Sequence, residues 1–477
     1  MTDIVAANGS VTVETTSADS GPPKLADILV ARLERLPFSR KHWLVAAVLC
    51  TATFFDGYDN LMITAALPLI LAALNVPLAT AGVLIAASFW GQLFGSPLAG
   101  ILAERLGRRS VLLVSCGIMG ATALLAGFAQ DFNQLLIARA IQGFGMGAEI
   151  PIAGAMFNEF VRSSHRGGAV FAYEAMFAWG GYVAPWLALG CIALFGQDEA
   201  WRALFLFGAF PILMVFIRRR ALPESPRWLV NQGRNEEAEH IIEQFERSAA
   251  KSGKPLAEPR IIVQPKLQRT NFLELFQQPY RGRTLMMLVW IMMTYAFTYG
   301  YQPFVASLYV SVGGLPVANA ILLTAAGQIV AIPYNYFVAF TVDRFGRRFY
   351  FGWGLLWAAL VLIVGAVVVG YFGIKTWPVL FALTQLALLG TTSTIGFYIY
   401  APELFPTRMR AWATATGSTG IRLVSSFMPI VVGITAASTL GLGGVYILMA
   451  ACLAIGGMTL LRFGPETRHR ILEEIAA

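Results

Sequence analysis

The sequence predicts an all-α membrane protein in which twelve transmembrane helices form two pseudo-symmetric six-helix bundles, with both termini in the cytoplasm. Hydrophobic residues make up 57% of the chain and charged residues 13%, against about 25% charged residues in typical soluble domains. A short basic turn also occurs twice, about half a chain length apart, at Glu104–Arg109 and Asp343–Arg348. This repeat predicts two homologous bundles whose function lies at the interface between them.

Twelve apolar runs are long enough to cross a bilayer, which takes roughly 20 helical residues. Six precede a central polar segment, at about 43–73, 81–103, 110–129, 134–158, 168–195 and 201–217. Six follow it, at about 284–310, 318–341, 349–371, 378–400, 412–436 and 440–463. The predicted domains are an N-terminal tail (1–41), an N-terminal bundle (42–217), a linker with short helices (218–283), a C-terminal bundle (284–463) and a C-terminal tail (464–477).

Basic residues set the predicted orientation. They fall in alternate loops on one side: Arg105, Arg108, Arg109, Arg162, Arg166, Arg218–Arg220, Arg344, Arg347, Arg348, Arg408 and Arg410. The opposite loops hold only Arg202 and Lys375. By the positive-inside rule the basic side and both termini are cytoplasmic. The net charge of +8 therefore follows from topology, and nucleic-acid binding is not predicted.

The sequence patterns of the predicted cytoplasmic segments are weaker than those of the apolar runs. Residues 1–23 contain no Lys or Arg and are rich in Thr, Ser and Gly, which predicts a disordered tail and not a cleaved signal. Lys24–Arg35 predicts a short amphipathic helix, and Asn235–Lys251 a helix within the linker. The linker is interpreted as a tether between the bundles, with a regulatory domain as the alternative.

Ionisable residues inside apolar runs are costly, so each is a candidate functional residue. Asp56 and Asp59 lie three residues apart in the first span and share a helix face, so their mutual repulsion favours proton uptake by at least one. Arg139 in the fourth span can pair with a first-span aspartate and lose that partner on protonation. Glu149 is a second titrating site or a substrate contact. The alternative for Asp56, Asp59 and Glu149 is structural hydrogen bonding.

Arg422 stands alone within the eleventh span, in a stretch rich in Gly and Ser. A planar guanidinium can hold a carboxylate ligand through two parallel bonds. The alternative is a fixed ion pair with a carboxylate of another span, such as Glu149.

Aromatic residues cluster in the seventh and tenth spans, and they either pack the bundle or line a cavity for a ring-bearing ligand. Tyr299-Gly-Tyr-Gln-Pro303 is expected to break the seventh helix, as in transporter helices that expose backbone to a substrate. The candidate substrate residues beside Arg422 are Tyr299, Tyr301, Gln302 and Tyr398.

Charged residues at the predicted cytoplasmic ends are interpreted as gating groups. They comprise Glu104, Arg105, Arg108, Arg109, Glu159, Arg166, Asp343, Arg344, Arg347, Arg348, Glu403 and Arg408. No Walker loop, zinc-protease pair or hydrolase elbow occurs, so no enzyme activity, cofactor or metal is predicted. The four histidines fall at span edges or in loops, so the carboxylates must carry any protons.

These motifs resemble the major facilitator superfamily over about residues 30–475. The repeated basic turns resemble its signature loops, and Arg139–Glu149 resembles its fourth-span motif. Pro223–Leu229, Pro402–Thr407 and Pro465–Thr467 with Leu472–Ile475 resemble its sugar porters. The resemblance implies the major facilitator fold and transport by alternating access, with Tyr58-Asp59 and Arg139 at the proton-coupling positions.

The subgroup within this superfamily is indicated by positions at which the sequence departs from the sugar-porter pattern. The seventh span lacks the paired glutamines and Asn with which sugar porters hold hydroxyls. Asp56-Gly-Tyr-Asp59 resembles the Asp-Gly-x-Asp pattern of aromatic acid–proton symporters, and Arg422 resembles the arginine of organic-anion transporters. The resemblance therefore implies proton-coupled uptake of a small organic anion, such as an aromatic carboxylate, by a monomer in a bacterial cytoplasmic membrane.

Three alternatives stay open. The first is a proton-coupled sugar or polyol symporter. The second is a drug or metabolite antiporter, although Ala178–Pro185 matches the fifth-span antiporter motif poorly. The third is a nutrient sensor with a transporter fold, for which the loops and tails contain no recognisable signalling domain.

Overall fold

The computed structural model describes residues 4–6, 9–14, 25–162, 166–213, 215, 222–251, 256, 258, 260–262, 271–391 and 393–468. Helices occupy every predicted apolar run. Among the described residues, seven helices are by length and composition apolar enough to cross a membrane: Leu78–Leu106, Arg108–Gly127, Ala175–Phe195, Val317–Val338, Phe349–Tyr371, Arg410–Ala437 and Gly441–Phe463. Length and apolarity alone thus support fewer spans than the twelve predicted.

The first half of the chain forms α1 (Leu25–Glu34), α2 (Arg40–Ala73), α3 (Leu78–Leu106), α4 (Arg108–Gly127), α5 (Phe132–Phe160), α6 (Arg166–Phe195) and α7 (Gln197–Gly208). Helix α5 packs against α3 and α4, whereas α2 packs against α6 and α7. The charged positions of α2 and α5 are therefore enclosed by helices of the same bundle.

The linker forms α8 (Pro226–Asn231) and α9 (Asn235–Lys251). The second half forms α10 (Arg281–Gly300), α11 (Val305–Ser311), α12 (Val317–Phe345), α13 (Gly354–Gly365), α14 (Trp377–Gly390), α15 (Ser393–Glu403), α16 (Arg410–Ala437) and α17 (Gly441–Phe463). Segments of π-helix, Phe349–Trp353 and Ala366–Tyr371, flank α13. Helix α10 packs against α16 and α17, and α13 packs against α14 and α17.

The predicted break in the seventh span is confirmed. Helix α10 ends at Gly300, and a single 3₁₀ turn, Gln302–Phe304, separates it from α11. Pro303 has no backbone N–H and cannot continue the α-helical bonding pattern. The chain therefore changes direction where the aromatic cluster lies.

The predicted helices α1 and α9 are confirmed, and they bind each other. The Arg32 and Arg35 guanidinium groups pair with Glu246 of α9 at 2.8 and 2.6 Å. Burial raises the pKa of the Glu246 carboxyl, but hydrogen bonds from both arginines outweigh it and hold the pKa below its ordinary value. The linker is thus fastened to the chain segment that enters the N-terminal bundle.

The prediction of a disordered tail is wrong for residues 4–6 and 9–14. They form strands β1 (Ile4–Ala6) and β2 (Gly9–Glu14), and β2 pairs in parallel with β3 (Arg260–Ile262) of the linker. Val11, Thr12 and Val13 are β-branched residues that favour an extended backbone, and the distant partner strand is not visible in local composition. This small sheet is also the exception to the all-α prediction.

Candidate functional site

A buried charge cluster lies between α2, α5 and α7. Asp59 of α2 and Gln142 of α5 are fully buried, and Arg139 is 2% exposed. Arg139 and Gln142 are three residues apart and share a helix face, and Arg139 Nη1 donates to Gln142 Oε1 at 2.8 Å. Asp59 and Arg139 interact electrostatically, but no ion pair within 4.0 Å joins these two described side chains. The structure therefore brings together the predicted pair and adds Gln142.

Helix α7 closes this cluster on its third side. A Cβ at Gly208 would lie only 2.7 Å from Asp59 Oδ1, so a larger residue there would collide with the carboxylate. The Phe205 ring lies 5.8 Å from the Arg139 guanidinium carbon, within cation–π range. The Tyr58 hydroxyl donates to the Leu204 carbonyl at 2.9 Å and joins α2 to α7. The walls exclude water, which strengthens charge interactions inside.

Asp56 lies in different surroundings from Asp59. Asn60 Nδ2 donates to the Asp56 carbonyl at 3.0 Å and is 3.4 Å from its Oδ2. Gln92 Nε2 of α3 donates to Asn60 Oδ1 at 3.1 Å. Asp56 is thus tied into an amide network between α2 and α3, the hydrogen-bonded alternative considered for these aspartates. Glu149 of α5 is also fully buried.

The two bundles meet where α3 packs against α16. Trp90 Nε1 of α3 donates to the Ser426 carbonyl of α16 at 2.8 Å. Nearer the α3 N-terminus, a Cβ at Gly82 would collide with the Pro429 carbonyl, so the backbones are in close contact. The Ser426–Pro429 face of α16 is therefore the one that faces the other bundle.

Arg422 lies on this face, one helical turn before Ser426. Its side chain is 8% exposed, and Nη1 lies 2.8 Å from Ser418 Oγ and 3.3 Å from the Ser418 carbonyl. The guanidinium is thus held along its own helix at the boundary between the bundles. This placement is compatible with ligand contact and leaves the ion-pair alternative open.

The candidate aromatic residues separate into two groups. The Tyr299 ring lies 4.8 Å from Phe89 of α3 in the other bundle, so it is at the bundle interface. Tyr301 is buried within the C-terminal bundle, and its hydroxyl is 3.1 Å from Thr384 Oγ1, a position typical of packing. Gln302 is half-buried in the 3₁₀ turn, and the side chain of Tyr398 lies outside the described part of the structure.

The two basic turns have the same construction. Gly107 and Gly346 adopt φ values of 97° and 96°, which favour glycine. The carboxylate of Glu224 accepts from the Arg109 backbone N–H at 3.1 Å at the start of α4. The carboxylate of Glu466 accepts from the backbone N–H groups of Arg347 and Arg348, both at 3.0 Å.

Glu224 and Glu466 are thus functional candidates that were not predicted from the sequence, although they belong to the Pro223–Leu229 and Pro465–Thr467 motifs. Each stands in a Pro-Glu pair after the sixth helix of its half, a second repeat that could have revealed them. Glu104 does not cap α4. It is exposed, and its backbone carbonyl accepts from Trp228 Nε1 at 3.0 Å. The positions of Glu224 and Glu466 are favourable because an anion at a helix N-terminus is stabilised by free N–H groups and the helix dipole.

The other gating residues form ion pairs around these turns. Arg347 binds Glu403 through two bonds of 2.8 and 3.2 Å and contacts Asp343 at 2.6 Å. The equivalent turn pairs Arg108 with Glu159 at 3.4 Å. In addition, Arg408 pairs with Glu274 at 3.0 Å. Arg105 and Arg344 are exposed, and the side chain of Arg166 is outside the described residues.

We expect Glu403→Gln to shift the conformational balance of the protein more than Asp343→Asn. Asp343 is 72% exposed in its ion pair and Glu403 only 18%, and exposed ion pairs contribute about 0–1 kcal/mol. Single-molecule distance measurements across the basic end, made on both variants, would compare the populations. A larger shift from Asp343→Asn would contradict the assigned importance of the Arg347–Glu403 pair.

Two helical bundles with buried ionisable residues at and beside their interface are an arrangement typical of secondary transporters. The chain belongs to the Sugar (and other) transporter family of the major facilitator superfamily, whose family model matches residues 45–477. It is therefore a membrane transporter and not an enzyme.

Relatives of known substrate are similar over most of their length. The chain is 27% identical to the niacin transporter NiaP of Acinetobacter baylyi, covering 94% of this chain and 99% of that protein. It is 26% identical to the 4-hydroxybenzoate transporter PcaK of the same organism, covering 82% and 85%. Its fold matches the partially occluded inward-open xylose transporter XylE of E. coli with a TM-score of 0.68, at 18% identity, covering 91% of this chain and 100% of that one.

Proposed function

We propose that this transporter carries out proton-coupled uptake of a small aromatic carboxylate by alternating access. The observation that carries the proposal is the position of Arg422 on the α16 face that contacts the other bundle. A guanidinium at this boundary can bind a carboxylate through two parallel hydrogen bonds. It also disfavours cationic ligands by repulsion.

The aromatic part of the ligand is assigned to the contact between the bundles. Tyr299 and Phe89 present rings from opposite bundles, and ring stacking favours an aromatic ligand over an aliphatic one. Niacin and 4-hydroxybenzoate, the compounds in the names of two relatives, are both small aromatic carboxylates. We therefore place Arg422 and Tyr299 in the substrate site, with Gln302 at its edge.

The proton pathway is assigned to Asp59, with Arg139 as its partner. A fully buried carboxylate without a direct ion pair is costly when charged, so proton binding and release can alter the packing between α2, α5 and α7. Asp56 and Glu149 are assigned supporting roles in the same bundle. Proton binding on one side of the membrane and release on the other would drive accumulation.

The membrane arrangement belongs to the same proposal. We place twelve spans in the bilayer of a bacterial cytoplasmic membrane, with both termini and the basic turns on the cytoplasmic side and the chain acting as a monomer. Helices in all twelve apolar runs and the one-sided distribution of arginines support this arrangement. Relatives described as inner membrane metabolite transport proteins agree with the location.

The test combines ligand binding with transport. Purified protein is screened by thermal shift against nicotinate, nicotinamide, 4-hydroxybenzoate, xylose and glucose, and stabilising compounds are assayed for uptake into proteoliposomes with an inward proton gradient. We expect the carboxylates to stabilise the protein and accumulate, and neutral nicotinamide to do neither. Stabilisation by sugars alone would replace this proposal with the sugar alternative, and uptake driven only by an outward proton gradient would replace it with antiport.

A further inference from the structure

Gln142 connects the two charged members of the buried cluster. Its Oε1 accepts from Arg139 Nη1 at 2.8 Å, and its carboxamide is close enough to interact with the Asp59 carboxylate. Neither oxygen of Asp59, nor Gln142 Nε2, meets a partner in hydrogen-bond geometry among the described residues. The arginine is thus bonded to the amide oxygen, while the carboxylate interacts with both groups without meeting hydrogen-bond or ion-pair geometry with either.

Few titratable groups can compete with Arg139 for the Asp59 carboxylate. Tyr58 is adjacent on α2 and interacts with both Asp59 and Cys191 of α6. The α7 wall supplies Phe205 and Gly208, which do not titrate. The segment of the other bundle that packs on α2 carries Tyr301, which bonds Thr384, and Tyr309. Arg139 is therefore the cation available to Asp59 in the described part of this site.

We propose that Gln142 is the positioning residue of proton coupling, because it holds Arg139 whenever Asp59 carries a proton. This inference rests on the proposed role of Asp59 as the proton site. A buried arginine without an acceptor is as costly as an unpaired carboxylate. Gln142 removes that cost while Asp59 is neutral, and Arg139 can turn to Asp59 once the proton leaves.

Two substitutions are expected to move proton binding in opposite directions. Gln142→Leu removes the acceptor that Arg139 needs only while Asp59 is protonated, so the protonated state is disfavoured. Proton binding at Asp59 should then require a pH lower by about one to two units, the equivalent of one charge-assisted hydrogen bond. Gln142→Glu pairs with Arg139 permanently and leaves Asp59 beside a second carboxylate, so the midpoint should move to higher pH.

The measurement is an infrared pH titration of the full-length protein in nanodiscs, which needs no substrate. The carboxylic C=O band of Asp59 is identified as the band that disappears in Asp59→Asn, and its midpoint is compared in wild type, Gln142→Leu and Gln142→Glu. Thr122→Val is the matched control, because among the described residues the Thr122 hydroxyl bonds only to carbonyls of its own helix, at 2.6 and 3.2 Å. We expect an unchanged midpoint in this control.

The outcomes separate the two proposals. If Asp59→Asn removes no titrating band, the proposed proton site fails. If the band is present but its midpoint is unchanged in both Gln142 variants, the inference about Gln142 fails and Asp59 keeps its role. Shifts of both variants in the same direction would also overturn it, since a purely structural role predicts no dependence on the charge at position 142.

Discussion

We expect the Asp59→Asn variant to lose proton-driven accumulation of substrate while it retains exchange of substrate between equal pools. Asparagine resembles a permanently protonated aspartate in shape and charge, so Arg139 stays with Gln142, to which it bonds at 2.8 Å. The conformational change that needs a neutral residue at position 59 remains possible. The conformational change that requires proton release is no longer possible. A proton gradient can therefore no longer drive accumulation of the substrate.

The control for this experiment is Asp198→Asn. Asp198 lies in the exposed first turn of α7, in the same bundle as Asp59 but outside the buried cluster. Accumulation and counterflow exchange are measured in the same proteoliposomes with the acid identified in the ligand screen. Accumulation at the wild-type level in Asp59→Asn would remove Asp59 from the proton pathway and direct attention to Asp56 and Glu149.

The Arg422→Ala variant is expected to bind the carboxylate substrate some 30-fold or more weakly, which corresponds to the loss of a buried charge-assisted contact worth about 2–5 kcal/mol. Arg422 is 8% exposed, and its guanidinium bonds to Ser418 at the bundle boundary. Arg422→Lys should be nearly as damaging, because a compact ammonium cannot form two parallel bonds to a carboxylate.

The decisive comparison is between nicotinate and its neutral amide, measured by calorimetry on wild type and Arg422→Ala. The substitution should weaken nicotinate selectively and leave the weak affinity for nicotinamide nearly unchanged. Arg462→Ala is the matched control, since Arg462 is an exposed arginine at the end of α17 in the same bundle. Equal losses for both ligands, or no loss for either, would assign Arg422 to structure and favour its pairing with a carboxylate of the protein.

The described contacts between α3 and α16 lie towards one end of α3. Trp90 and Gly82 in the first half of α3 contact α16. In the second half of α3, towards the basic turns, Phe94 and Ile101 are 70% and 53% exposed. These contacts therefore lie in the half of α3 that is farther from the basic turns.

Much of the fold followed from local sequence, whereas the site followed only in part. Asp59 and Arg139 were predictable because a charge in an apolar run is costly wherever the helix packs. The hydrogen bond from Arg139 to Gln142 was not predictable, since a glutamine near a charged residue has no distinctive pattern of its own. The same holds for Gly208, whose importance depends on the distance of 2.7 Å between its Cβ position and Asp59 Oδ1.

The sequence by itself determined the two bundles, the break at Pro303 and the helices α1 and α9, because apolar periodicity, proline and repeated turns act within one or two helical turns of chain. Only the tertiary structure decided the partners of the charged groups. In the structure Arg139 bonds to Gln142, and the carboxylates of Glu224 and Glu466 accept from backbone N–H groups of the two basic turns. Such choices depend on the rotation and spacing of helices that are far apart in sequence, and small changes in either exchange one partner for another.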